Sequence, residues 1–103
     1  MYKLTVFIPE SALEQVKSAL FAAGAGTIGN YEQCCWQVRG MGQFMPLAGS
    51  NPNIGVHNRL EAVEEWRVEM VVAEGVIGTV IAALKEAHPY ETPAYDVIKV
   101  LDF

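Results

Sequence analysis

The sequence predicts an α+β sandwich in which one four-stranded antiparallel sheet carries two helices on a single face. Three observations predict it. Four segments are rich in β-branched and aromatic residues, two others repeat their apolar residues at helical spacing, and their order along the chain is β-α-β-β-α-β. Two βαβ halves with right-handed crossovers put both helices on the same side of one sheet, which is the ferredoxin-like arrangement.

Residues Tyr2 to Ile8 (YKLTVFI) form the first strand, ended by Pro9, which has no N–H to give to a ladder. Ser11 and Glu14 make an S-x-x-E capping box. The helix that follows has Leu13, Val16 and Leu20 on one face beside Ala12, Ala19 and Ala23, and stops at Gly24 and Gly26. The second strand is expected over Glu32 to Arg39, where Cys34, Trp36 and Val38 alternate with Cys35, Gln37 and Arg39. The third is the clearest: Trp66, Val68, Met70 and Val72 point one way, Glu65, Arg67 and Glu69 the other. A second helix is predicted from about Gly75 to Ala87, with Ile77, Val80, Ile81 and Leu84 at helical spacing. Pro89 ends it, and Ala94 to Leu101 make the fourth strand. The sheet face without helices receives Phe7 and Val71, with Tyr95 or Ile98 as further candidates. So apolar a face is expected to be covered by self-association.

At 103 residues and 51% hydrophobic content, the chain is one small domain, residues 1–103, with a single core. A net charge of −5 and a pI near 4.9 oppose binding to nucleic acid or an anionic membrane. No apolar run reaches the roughly 20 residues that span a bilayer, and no leader pattern is present, so a soluble, cytoplasmic protein is expected. Cys34 and Cys35 are adjacent, too close for an ordinary disulfide. They are expected as a reduced pair on the second strand, with no neighbours that suggest redox or metal chemistry.

From Met41 to Asn58 the chain reads MGQFMPLAGSNPNIGVHN, without one Asp, Glu, Lys or Arg. Solvated connections are usually charged and poor in apolar residues, so this segment is expected to fold against something. Gly40, Gly42, Gly49 and Gly55, with Pro46 and Pro52, predict tight turns and no further strand. Gly40-Met41-Gly42 invites a phosphate-loop reading. The pattern G-x-x-x-x-G-K is missing, however, and the loop has no lysine, so a packed loop touching a subunit or partner is preferred.

The stretch AHPYETPAYDV, Ala87 to Val97, collects His88, Tyr90 and Glu91 between Pro89 and Pro93. A proton carrier, a phenol and a carboxylate stand close together, yet no serine, cysteine or lysine is in a recognisable catalytic relation to them. His57 is able to join His88 and Glu91 as a nitrogen and oxygen ligand set for a divalent metal. The structural reading is a stiff path from helix to strand, with His88 capping the helix by bonding its free carbonyls and complementing its dipole.

Three motifs then carry a resemblance: GAGTIGNYEQC (Gly24 to Cys34), GMGQFMPLAGSNPNIG (Gly40 to Gly55) and LKEAHPYETPAYDV (Leu84 to Val97). Over nearly its whole length the chain resembles a stand-alone form of the PII/CutA-like domain inserted in YqfO-type proteins. The HPYE-x-P portion alone, His88 to Pro93, is similar to the CutA divalent-cation-tolerance family as well. The resemblance implies a ferredoxin-like fold and assembly as a trimer. In YqfO-type proteins it implies a lid on a larger toroid, whose dinuclear metal ligands lie in flanking segments outside the matched residues, so no hydrolase or cyclohydrolase role is carried over. The resulting expectation is a non-enzymatic homo-oligomer, a trimer by preference, without a required cofactor, that takes a small ligand or a protein partner in an intersubunit cleft. Gly40, Gly42, Phe44, Pro46, Gly55, His88, Tyr90 and Glu91 line that cleft, with Arg39 and Arg59 flanking the loop as possible sources of charge. The alternative is a CutA-type metal-binding protein using His57, His88 and Glu91; a third reading is an enzyme of unrecognised reaction.

Overall fold

The structure, a computed structural model, describes all residues from Met1 to Phe103. Its regular elements are β1 (Tyr2–Pro9), α1 (Leu13–Ala22), β2 (Trp36–Phe44), β3 (Glu61–Val72), α2 (Ile77–Ala87) and β4 (Tyr95–Lys99). The four strands form one antiparallel sheet in the order β2-β3-β1-β4. This is the expected ferredoxin-like α+β sandwich. No helix is long and apolar enough to cross a membrane.

The alternation of β1 and β3 makes the core. Leu4, Val6 and Ile8 from β1 and Val68, Met70 and Val72 from β3 are buried under Val16 and Leu20 of α1 and Val80 and Leu84 of α2. Each such side chain, removed from water, contributes about 1.5–3 kcal/mol. In register, Val97 lies opposite Leu4 and Tyr95 opposite Val6, so both pack beneath the helices. Tyr95 is therefore not on the helix-free face; Ile98, paired with Lys3, is.

That face is less uniformly apolar than the sequence suggests. Trp36, Val38 and Ile98 are 56%, 39% and 51% exposed. Charges are interleaved with them: Lys3 pairs with Glu69 at 3.1 Å, and the Arg67 guanidinium lies 5.7 Å from the Trp36 ring centre.

Two local expectations are corrected. Ser11 caps nothing, because the chain turns directly from Pro9 into a 3₁₀ turn, Glu10–Ala12. There the N–H of Leu13 bonds to the Glu10 carbonyl, a backbone bond that replaces the capping box, and α1 starts without a side-chain cap.

The second strand begins at Trp36, four residues later than expected, and runs on through Met41 to Phe44 instead of turning at Gly40 and Gly42. The delay has a cause. Gly26 donates to the Val71 carbonyl and accepts from Cys34 N–H, both at 2.8 Å, and Gln33 has φ +61°. These bonds hold the segment before Trp36 as a turn against the end of β3. Cys34 and Cys35 thus precede the strand as half-buried free thiols.

The β1 ladder on β3 ends at Pro9 opposite Glu65, whereas β2 stays paired to Phe44 opposite Glu61. Met41–Phe44 and Glu61–Glu64 therefore project past the sheet as a two-stranded ribbon, and the molecule measures 46 × 24 × 23 Å.

Candidate functional site

His88 fixes the path of the chain after α2. Pro89 forbids helical backbone at the residue before it, and His88 is extended, with φ −71° and ψ 134°. Its own N–H still bonds to the Leu84 carbonyl at 2.9 Å. The imidazole is only 5% exposed. Its Nδ1 accepts from the N–H of Tyr90 at 3.1 Å, so Nε2 carries the hydrogen and donates to the Phe7 carbonyl at 2.8 Å. Burial holds the His88 pKa below the usual histidine value.

The capping expectation is thereby corrected: the ring ties the end of α2 to β1, and, being neutral, brings no charge to the helix dipole. Both ring nitrogens are occupied. His57 has its Nε2 2.8 Å from the Ser50 carbonyl, and no three His, Cys, Asp or Glu side chains come together around a point that would hold a metal ion. The set His57, His88 and Glu91 is not assembled within the chain.

Tyr90 is carried past the end of β1 to Glu65, and its hydroxyl donates to Glu65 Oε2 at 3.0 Å. Burial, first, and the adjacent carboxylate push the phenol pKa well above its ordinary value. It is a hydrogen-bond donor at neutral pH and no source of protons. Glu65 lies over Gly42, where a Cβ would stand 1.9 Å from Glu65 Oε1. Glycine at position 42 is what allows the carboxylate to reach Tyr90. Gly42→Ala is expected to swing the flexible carboxylate aside with the fold retained, at a cost of about 1–2 kcal/mol from the lost Tyr90 bond. The tyrosine ζ-carbon shift should then titrate at lower pH than in the parent; an unchanged Tyr90 titration would show that Glu65 does not hold the phenol.

The loop from Met45 to Leu60 closes over these residues. It is folded on itself: Ser50 bonds to the Leu47 carbonyl through N–H and Oγ, and Asn58 N–H bonds to Pro46 O. The left-handed backbone that the turns require falls on Gly49, Gly55 and Asn58. One bond joins loop and stretch, from Asn51 N–H to Glu91 Oε1 at 2.9 Å. Between them lies a pocket of about 380 Å³ walled by both segments.

Of the expected cleft residues, Phe44, Pro46, Tyr90 and Glu91 line this pocket. His88 lies behind Tyr90, its ring centre 4.8 Å from the tyrosine ring. Gly55 turns the loop against Pro46 and Glu61 without lining the pocket. Gly40 and Gly42 border a separate depression of about 280 Å³ with Phe7, Val38 and Arg67, and Glu65 borders both. Glu65, Asn53, Ile54 and Thr92 line the pocket as well, with no local signal in the sequence to mark them. Arg39, a suggested source of charge, instead bonds to Glu10 at 3.1 Å with its guanidinium 5.3 Å from the Trp66 ring centre; Trp66 Nε1 also donates to Glu10. Neither Arg39 nor Arg59 lines the pocket.

No family model matches the chain. A GTP cyclohydrolase 1 type 2 homolog of Halalkalibacterium halodurans is 50% identical over 97 residues, 94% of this chain and 26% of the relative. The crystal structure of a Bacillus cereus protein related to NIF3 superposes with a TM-score of 0.79 at 43% identity, covering 93% of this chain and 24% of that one. The periplasmic divalent cation tolerance protein CutA from Archaeoglobus fulgidus shares the fold, with a TM-score of 0.69 at 16% identity over 100% of this chain and 87% of that one. The chain has the ferredoxin-like fold of CutA and resembles, in sequence and structure, one segment of NIF3-related proteins. It spans about a quarter of the length of the curated relatives it matches, 26% in the example given. The cyclohydrolase name belongs to those whole proteins. The pocket stands at the root of the projecting β2–β3 ribbon, where loop and HPYE stretch meet.

Proposed function

We propose that residues 1–103 act as one non-enzymatic, homo-oligomeric PII/CutA-like binding module of the cytoplasm, which holds a small molecule or a segment of a partner protein in the pocket between the loop and the HPYE stretch. One observation carries this reading. A loop with no charge from Met45 to Asn58 closes onto Glu91 and leaves a preformed, largely apolar pocket of about 380 Å³, within the size range of small-molecule sites. Its polar groups serve recognition better than catalysis. Tyr90 is held by Glu65, and its raised pKa keeps the phenol protonated, so it is no proton source at neutral pH.

Association, with a trimer favoured, is supported by the helix-free face and by β2 at the sheet edge. The apolar side of that edge strand, Trp36 and Val38, faces away from the helices, and covering it contributes about 25 cal/mol for each Å² removed from water. The resemblance to PII and CutA proteins, which implies a trimer, points the same way. A native mass spectrum of gently purified protein tests both halves of the proposal. The expected species is a multiple of the 11.3 kDa chain carrying a small additional mass. A bare monomer at micromolar concentration would overturn the proposal.

A further inference from the structure

We propose that the pocket takes an organic cation, an ammonium or amidinium group borne on an apolar body about the size of one or two rings. This rests on the reading of the pocket as a binding site and adds the chemistry of its ligand. The walls supply two kinds of surface. Phe44, Pro46, Leu47 and Ile54 give an apolar lining, while Glu65 and Glu91 give two carboxylates, and no Lys, Arg or His stands among the lining residues.

Each carboxylate accepts one bond from the chain, Glu65 Oε2 from Tyr90 and Glu91 Oε1 from Asn51. Glu91 Oε2 has no donor within the chain, and Glu65 Oε1 lies against Gly42, so Oε2 is the Glu65 oxygen beside Tyr90 at the pocket wall. These two bonds fix the carboxylates before a ligand arrives, which lowers the ordering cost of binding. The Phe44 and Tyr90 rings, 6.1 Å apart and tilted by 49°, add π surface of the kind that attracts a cation. The net charge of −5 draws cations and repels anions at longer range. A phosphate or nucleotide would meet two carboxylates with no opposing charge, since Arg39 is held by Glu10.

Shape-matched probes of differing charge test this on the full chain. Tryptamine, tryptophol and indole-3-acetate differ chiefly in the charge of the side chain, as do benzylamine and benzyl alcohol in a smaller frame. Each is titrated into ¹⁵N-labelled protein at neutral pH, and the amide signals of Asn51, Ile54 and Tyr90 are followed. The amines should bind at least about tenfold more tightly than the alcohols, the strength expected of a charge-assisted hydrogen bond, with the acid weakest. Added salt should reduce that preference. Glu65→Gln and Glu91→Gln, which keep the acceptor for Tyr90 and Asn51, should each lower amine affinity about tenfold and leave alcohol affinity in place. Equal affinities for amine, alcohol and acid at these amides would overturn the cation proposal while keeping the pocket as a site. Shifts at none of the three amides, with any probe, would overturn the pocket reading itself and the cation proposal with it.

Discussion

His88→Ala should lower the free energy of unfolding by about 2–4 kcal/mol, because it strands two buried groups at once. The Phe7 carbonyl loses its Nε2–H donor and the Tyr90 N–H loses its Nδ1 acceptor, in a site where the ring itself is 5% exposed. The ring also packs against Tyr90, so its removal leaves a cavity under the pocket wall. Urea denaturation followed by far-UV circular dichroism measures the effect. A loss below about half a kilocalorie per mole would show that neither bond matters and return His88 to a peripheral role.

The same geometry gives a pH dependence of definite sign. Burial of the ring disfavours its charged form, as does the Nδ1 hydrogen that protonation would set against the N–H of Tyr90; these outweigh the bond to the Phe7 carbonyl and the nearby Glu65 charge, which favour it, and keep the pKa depressed in the folded state. Between that depressed value and the unfolded value of about 6.5, the unfolded chain binds more protons than the folded one. His88 therefore stabilises fully above about pH 6.5, and this contribution falls as the pH is lowered through the window and levels off below the folded pKa. His88→Ala should lack that slope.

Gly26→Ala is the second large effect, with an expected loss of about 2–4 kcal/mol. Gly26 has φ +80°, and a Cβ there would lie 2.8 Å from the Cys34 carbonyl oxygen and 2.9 Å from Phe21 Cε1. The obstacle is backbone and a packed ring, neither of which swings aside as a carboxylate does. Moving them breaks the paired bonds of Gly26 with Val71 and Cys34 that hold the segment ahead of β2. Gly29 is the control. At φ +57° with nothing within 4 Å of its Cβ position, Gly29→Ala carries backbone strain alone, about 1 kcal/mol. Equal thermal shifts for the two variants would contradict the close approach at Gly26.

The elements that were legible in the sequence are those whose faces see different surroundings. Trp66, Val68 and Met70 alternate with Glu65, Arg67 and Glu69 because one side of β3 is core and the other is not, and the period survives any detail of register. The spacing of Val80 and Leu84 worked for the same reason. Strand β2 was harder to place, because its apolar residues, Trp36 and Val38, point away from the helices while Gln37 and Arg39 point toward them. Its ends are set by contacts remote in sequence, Gly26 with Cys34 at one end and β3 at the other. Gly40 and Gly42 looked like turns since glycine weakens a strand; here they lie in one, and Gly42 is explained by Glu65 crossing it. Phe44, Pro46, Tyr90 and Glu91, four of the eight residues expected at a cleft, share one pocket wall, because the missing charge of the loop and the rigid HPYE stretch are local features. Glu65 does not stand out in the sequence as a pocket residue, because a charged residue on an alternating strand looks solvated until the pairing across the long β2–β3 connection is known.

A crystal structure of the protein soaked with a library of small fragments tests most directly whether the loop and the HPYE stretch wall a binding pocket. The expected result is fragment density bounded by Phe44, Ile54 and Tyr90, with the bonds from Asn51 to Glu91 and from Tyr90 to Glu65 in place. A structure in which the loop has collapsed into that space, or in which fragments bind everywhere except there, would contradict it.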